Sequence, residues 1–152
     1  MPIDYLTKDI TTVDKGVIVH GCNCSGGFGS GVAGAIRKKW PYAYEAHKEM
    51  GVGEELLGTV NILIRLVEDV VIVNGYTQVN YGRDGKRYAD VAAIYKVLSQ
   101  TAEFVDGGGY KDLYMPKIGA GLGGLDWETE VLPIVEMVSS EFPDVNIHIC
   151  DI

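Results

Sequence analysis

The chain has 152 residues, 47% of them hydrophobic and 22% charged, so we expect one packed domain over residues 1–152 and no extensive disorder. Its formal net charge of −8 at pH 7 argues against nucleic-acid binding, because such proteins neutralise phosphates with an excess of lysine and arginine. No apolar run approaches the ~20 residues of a membrane span, and the charged start lacks a signal-peptide core, which predicts a cytoplasmic protein that binds no membrane.

The first half of the chain predicts three strands and two helices. Val17–His20 is a continuous β-branched run, typical of a buried strand. Apolar residues at helical spacing over residues 32–40 and again over Tyr42–Met50 predict two helices separated by a proline. Gly58–Leu66 alternates as a half-buried strand does, and Val70–Val73 is a fully apolar strand.

The second half predicts two further helices and two further strands. Ala89–Val105 carries its apolar residues on one helical face, and a run of three glycines ends it. Leu113–Ile118 and Val145–Cys150 are predicted strands. Between them Asp126 is the expected N-cap of the last helix, and Pro133 inside this helix predicts a kink or a later start.

The 20 glycines are concentrated in two short segments, six of them in residues 21–34 and four in residues 119–124. The alternation of strands and helices predicts an α/β sheet with helices on both faces. Each glycine-rich segment follows a strand and precedes a helix, so both are expected at the edge where the carboxyl ends of the strands meet and ligands bind. Residues 80–87 are rich in turn formers and predict an exposed loop.

The first glycine-rich segment, HGCNCSGGFGSGVAGAI over residues 20–36, has the composition of an anion-binding loop. Glycine allows close approach of a ligand, and a helix that starts near Gly31 directs free N–H groups toward it. Residues 29–34 also fit the dinucleotide pattern G-x-G-x-x-G, but the preceding strand ends about eight residues too early and the expected acidic residue is missing. A loop that merely connects two elements is the other interpretation, although it would need only one or two glycines.

Four side chains in this segment are candidates for chemistry. His20, Cys22 and Cys24 alternate and share one face of an extended chain, which permits a metal site, but so few ligands favour structural cysteines. We therefore expect reduced thiols, no metal and no cofactor. Asn23 offers the donor and the acceptor that two ribose hydroxyls require. His20 is either a general base near neutral pH or a core histidine bonded to the backbone.

The order of these segments resembles the macro domain, an ADP-ribose-binding module, over essentially the whole chain. The resemblance rests on Asp9-Ile10, on VIVHGCNCSGGFGSGVAGAI over residues 17–36 and on IGAGLGGLDWE over residues 118–128. It is greatest for the ADP-ribose-1″-phosphate phosphatase type, whose members carry a similar I-H-x-C-N-C-x-G-x-x-G-x-G-I-A stretch. The resemblance implies a three-layer α/β/α fold with a mixed, mostly parallel central sheet. It also implies metal-independent hydrolysis of the terminal phosphate monoester of ADP-ribose-1″-phosphate to give ADP-ribose.

The same resemblance assigns a role to each candidate site residue. Asp9 would accept from the adenine amino group, with the Ile10 backbone close by. Asn23 would hold the distal ribose, and His20 beside it would be the catalytic residue, with water as the nucleophile. Main-chain donors around the diphosphate would come from Gly29, Ser30, Gly31 and Val32 in the first segment and from Gly119, Ala120, Gly121, Leu122 and Gly123 in the second.

Departures from the wider family bear on two alternative functions. One hydrolase branch has an aspartate where this chain has Ala33. Another uses a lysine after the fourth strand and an aspartate in the second loop, where this chain has Gly75–Gln78 and Gly123. Many macro domains also place an aromatic residue near Gly123; its absence here implies an open end that suits a terminal phosphate, unless Phe28 covers it. These differences disfavour a hydrolase that removes ADP-ribose from protein or nucleic acid, whereas a non-catalytic ADP-ribose-binding module stays open. Nothing in the sequence specifies an oligomeric state.

Overall fold

The structure, a computed structural model, describes residues 2–29, 31–80, 86–121 and 123–152. In these ranges the chain forms one sheet of order β1-β6-β5-β2-β4-β3. The strands are β1 Ile3–Thr7, β2 Gly16–Asn23, β3 Val60–Leu63, β4 Val70–Gln78, β5 Asp112–Met115 and β6 Asn146–Asp151. The helices are α1 Gly31–Lys39, α2 Pro41–Met50, α3 Val91–Gly107 and α4 Leu132–Glu141. Neighbouring strands are parallel except β3, which runs antiparallel to β4.

The sheet is covered on both faces. Because side chains alternate along a strand, Ile18 and Ile72 enter the core beneath α1 and α2, whereas Val19 and Val73 enter the core beneath α3 and α4. The central strands β2 and β4 are therefore apolar on both faces, as buried parallel strands are. This arrangement confirms the predicted three-layer α/β/α fold with a mixed, mostly parallel sheet.

The last helix starts late, as Pro133 predicts. Asp126 caps it by accepting hydrogen bonds from the amide and the hydroxyl of Thr129, at 2.9 and 2.6 Å from Oδ2. The following turn, Trp127–Val131, is π-helical, and α4 begins only at Leu132, so that the proline lies in the first turn where its missing N–H costs nothing.

Strands β2 and β4 continue beyond their predicted ends at His20 and Val73, to Asn23 and Gln78, and three other predicted boundaries were wrong. The strand predicted over Gly58–Leu66 ends at Leu63, and the apolar side chains of Ile64 and Leu66 are 57% and 103% exposed, so their alternation reflects no buried face. The strand predicted to reach Ile118 ends before Pro116, which has no N–H for the ladder. The helix predicted from Ala89 begins after its N-cap, Asp90, which accepts from the Ala93 amide. The edge strand β1 escaped prediction.

Part of the predicted loop over residues 80–87 lies outside the description, which omits residues 81–85. Among the residues that are described, no helix has both the length and the apolar character needed to cross a bilayer.

Candidate functional site

A cavity of about 780 Å³ lies between two loops at the carboxyl ends of β2, β4 and β5. Loop 1, residues 24–30, joins β2 to α1, and loop 2, residues 116–126, joins β5 to the π-helical turn. The volume is in the range of sites that enclose a small molecule. The described lining consists of Gly21, Cys22, Asn23, Gly27, Phe28, Gly29, Gly31, Val32, Ala33, Thr77, Gln78, Pro116, Lys117, Ile118, Gly119, Ala120, Gly121 and Gly123.

Asn23, the last residue of β2, fixes the course of loop 1. Its side-chain oxygen accepts from the amides of Ser25 and Gly27, at 3.1 and 3.0 Å, and its Nδ2 donates to the Gly27 carbonyl at 3.1 Å. Three hydrogen bonds thus hold the amide at the cavity wall and leave one of its N–H donors for a ligand. The side chain therefore both shapes the loop and faces the cavity.

The backbone of α1 packs closely against loop 1 because Gly34 has no side chain. A Cβ atom at Gly34 would lie 2.9 Å from the carbonyl oxygen of Gly29, which is too short for a real contact. The absence of that atom brings the first turn of α1 against the cavity, where Gly31 and Val32 line the wall. A helix start directs N–H groups without intrahelical partners, and the positive end of the helix dipole, toward the space before it, which favours an anion there.

Loop 2 forms the opposite wall and is hydrogen-bonded to the segment that precedes α3. The carbonyl oxygen of Gly123 accepts from the amides of Tyr88 and Ala89, at 2.8 and 3.0 Å. A Cβ atom at Gly123 would lie 2.6 Å from the Gly119 carbonyl oxygen. The loop backbone therefore folds too tightly at this position to accept a side chain without displacing the Gly119 carbonyl.

His20 is fully buried and does not line the cavity. The Ala43 carbonyl accepts from Asn74 Nδ2 at 3.0 Å, which turns Asn74 Oδ1 toward His20 Nε2, 2.7 Å away. Because that oxygen can only accept, the proton of His20 is on Nε2. The Nδ1 atom is buried and has no hydrogen-bond partner among the described residues. Burial lowers the pKa of His20 to about 4, although the Asn74 bond acts in the other direction.

This geometry does not support the expectation that His20 is a general base in the reaction, because a base must reach the proton that it removes. His20 instead supports loop 1 from beneath. Its ring meets the Phe28 ring edge-on, with centroids 5.3 Å apart, and His47 packs against the same phenyl ring at 4.8 Å. The Nδ1 atom of His47 bonds to the hydroxyl of Tyr76 at 2.8 Å. Phe28 is thus fixed between two buried imidazoles.

The cavity wall is nearly uncharged. Lys117 is the one charged residue of the described lining, and its ammonium lies 3.2 Å from a carboxylate oxygen of Asp151 at the end of β6. Cys22 also lines the wall, but burial raises the pKa of its thiol, which is therefore not a ready nucleophile. The three cysteines are free, and the described residues contain no group of three or more metal-binding side chains.

The structure brings together most of the predicted binding residues at this cavity, namely Asn23, Gly29, Gly31, Val32, Gly119, Ala120, Gly121 and Gly123. Ser30 and Leu122 lie outside the described residues. Asp9 and Ile10 are not in the lining; Ile10 is buried, whereas Asp9 is exposed. The Thr11 hydroxyl and amide donate to Oδ1 of Asp9 at 2.7 and 2.9 Å, which lowers the pKa of this carboxyl.

Several residues of the wall escaped sequence analysis. Thr77 and Gln78 end a strand that was predicted, so their position beside Asn23 follows from the parallel pairing of β2 with β4. Lys117 directly precedes the second glycine-rich segment. In each case the available signal was proximity to a strand end rather than a motif.

Fold and site together define an α/β/α domain with a cavity between two glycine-rich loops at the carboxyl edge of its sheet. The family model of the Macro domain matches residues 19–132, which is more than half of the chain. The chain belongs to the macro domain family.

Two curated relatives and a solved structure illustrate the similarity. An uncharacterized 17.5 kDa protein of Enterobacteria phage T4 is 30% identical over 135 residues, which cover 84% of each chain. The ADP-ribose 1″-phosphate phosphatase of Candida albicans is 26% identical over 156 residues, covering 96% of this chain and 94% of that protein. The macrodomain of Mycobacterium tuberculosis DarG superposes with a TM-score of 0.80 at 23% identity, covering 99% of this chain and 97% of the other, which establishes likeness of fold.

Proposed function

We propose that this macro domain is an ADP-ribose 1″-phosphate phosphatase. The observation that carries the proposal is the cavity between loop 1 and loop 2, which offers main-chain donors and a helix start to a diphosphate at a nearly uncharged wall. The similarity to the Candida albicans phosphatase over nearly the whole of both chains supports the same reaction. The substrate would be ADP-ribose-1″-phosphate, and the products would be ADP-ribose and inorganic phosphate.

The ligand would lie across the strand ends with its adenine toward Asp9 and its distal ribose toward Asn23. The Oδ2 atom of Asp9 remains available to accept from the adenine amino group, because both Thr11 donors use Oδ1. The remaining N–H of Asn23 would donate to a ribose hydroxyl. This orientation puts the terminal phosphate beside the ends of β2 and β4.

A non-catalytic ADP-ribose-binding module is the second candidate, and one observation favours it. The described lining contains neither a carboxylate nor an imidazole, the usual general bases of hydrolytic enzymes. Removal of ADP-ribose from protein or nucleic acid is disfavoured, because Gly75–Gln78 and Gly123 supply neither the lysine nor the aspartate of that hydrolase branch.

The test combines phosphate release from ADP-ribose-1″-phosphate with calorimetric binding of ADP-ribose. We expect release and binding in the wild type, and for Asn23→Ala a loss of about tenfold or more in affinity, from one ligand bond and a loosened loop 1. Asn146→Ala, at the exposed amino end of β6, is the matched control and should behave as the wild type. Binding without release would establish the binding module, and binding of neither ligand would contradict both candidates.

A further inference from the structure

Hydrolysis of a phosphate monoester requires that water be aligned with the bond that breaks. The transition state is loose, so the water needs orientation toward phosphorus more than early removal of its proton. Amide side chains meet this need, since a glutamine aligns the attacking water in GTP-hydrolysing enzymes. The described residues of the wall include no carboxylate and no imidazole, so another side-chain acceptor must hold the water molecule.

Four polar side chains of the wall are poorly suited to this task. The oxygen of Asn23 already accepts two backbone amides. The Cys22 thiol is buried and a weak acceptor, and the Thr77 side chain is 1% exposed. Lys117 has no acceptor when charged and is paired with Asp151.

Gln78, in contrast, has a side-chain amide whose orientation is set by a hydrogen bond at its nitrogen end. Its Nε2 donates to the carbonyl oxygen of Asn80 at 2.7 Å. Because a carbonyl only accepts, this bond fixes which end of the amide is nitrogen and which is oxygen. The side chain is half-buried in the wall, and within the described part of the chain no donor bonds to its Oε1.

The sheet register puts Gln78 at the reacting end of the proposed ligand. Gln78 ends β4, Asn23 ends β2, and the two residues are paired in register at the carboxyl edge, where the ladder is irregular between Cys22 and Asn23. In the orientation given above, Asn23 holds the ribose that carries the 1″-phosphate. Gln78, whose side chain lines the cavity, thus lies next to the residue that would hold the scissile group.

We propose that Gln78 is a catalytic residue that orients the attacking water, an inference that rests on the proposed phosphatase function. The Oε1 atom accepts a hydrogen bond from the water, whose oxygen attacks phosphorus. The bond between phosphorus and the 1″-oxygen breaks, and its electron pair stays on that oxygen. One water proton passes by way of the phosphate oxygens to the 1″-oxygen, and the other remains on the phosphate, so that ADP-ribose and hydrogen phosphate leave.

The test compares kcat, KM and ADP-ribose affinity of the wild type with those of Gln78→Ala and Gln100→Ala. We expect Gln78→Ala to lower kcat about 100-fold, with KM and affinity changed less than about threefold. Gln100 is a matched control, because its Nε2 also donates to a backbone carbonyl, that of Gly58, but it lies on α3 outside the cavity lining. In water labelled with oxygen-18, the label should enter the released phosphate.

The outcomes separate this inference from the proposed function. If the wild type releases phosphate and Gln78→Ala retains full kcat, Gln78 has no catalytic role. An equal loss of kcat and ADP-ribose affinity would make it a binding residue and overturn the inference as well. Phosphate without the label would mean that water attacks carbon, which contradicts the step. Binding of ADP-ribose with no turnover by the wild type overturns the phosphatase function itself, and the inference with it.

Discussion

Acidification should destabilise this fold through His20. An unfolded histidine has a pKa of 6.5, whereas burial lowers the pKa of folded His20 to about 4. Between these values the unfolded chain binds a proton that the folded chain does not. The stability that the fold gains by burying a neutral His20 is therefore fully present above about pH 6.5 and is lost as the pH falls toward 4. At 1.36 kcal/mol per pKa unit, the loss reaches about 3 kcal/mol, of which about 2 kcal/mol occurs between pH 7 and pH 5.

The comparison that isolates this effect uses His20→Gln. Glutamine does not titrate, and its amide can still donate to Asn74 Oδ1. Urea unfolding at pH 7 and pH 5, followed through the fluorescence of buried Trp40 and Trp127, gives the free energy of unfolding of both proteins. The wild type should lose about 2 kcal/mol more than the variant, because all other titrating groups are shared. Equal losses would refute a buried neutral imidazole at position 20.

Three further substitutions test the packing around the site. Gly34→Ala should weaken ADP-ribose binding about tenfold by calorimetry, because the new Cβ would press on the Gly29 carbonyl. Gly107→Ala is its control. Gly107 is a helical position with open space around it, so this variant should stabilise the fold by up to ~1 kcal/mol. Phe28→Ala should cost about 3–5 kcal/mol in urea unfolding, and a loss below 1 kcal/mol would contradict its packing between the two imidazoles. Asp126→Ala should cost about 1 kcal/mol by removing the cap of the last helix, and unchanged stability would contradict that cap.

The parts of the fold that could be predicted depend on local patterns. The apolar runs of β2 and β4 identify buried strands wherever they occur, and the spacing of glycines marks both loops. The edge strand β1 has no such pattern, since Asp4 and Tyr5 are exposed. It becomes a strand by pairing with β6 at the other end of the chain, for example Tyr5 with Ile149. A long-range partner of this kind leaves no periodicity in the sequence.

The same distinction explains the site. The glycine loops were predicted because backbone donors depend on chain conformation, which local sequence determines. The role of His20 depends on Asn74, 54 residues away, and on an imidazole at position 47 that packs on the same phenyl ring. Gln78 likewise reaches the cavity through strand pairing with Asn23. Two interpretations of His20 were open in the sequence, and its burial away from the described cavity lining favours the structural one.

The two hydrogen bonds to the Gly123 carbonyl have a consequence for the kinetics of binding. They tie the loop 2 backbone at Gly123 to the segment before α3 without any ligand contact. A preordered wall loses little conformational entropy when a ligand arrives, and association need not wait for a loop to find its shape. Differences in affinity among ligands of this domain should therefore appear mainly in the rate at which they leave.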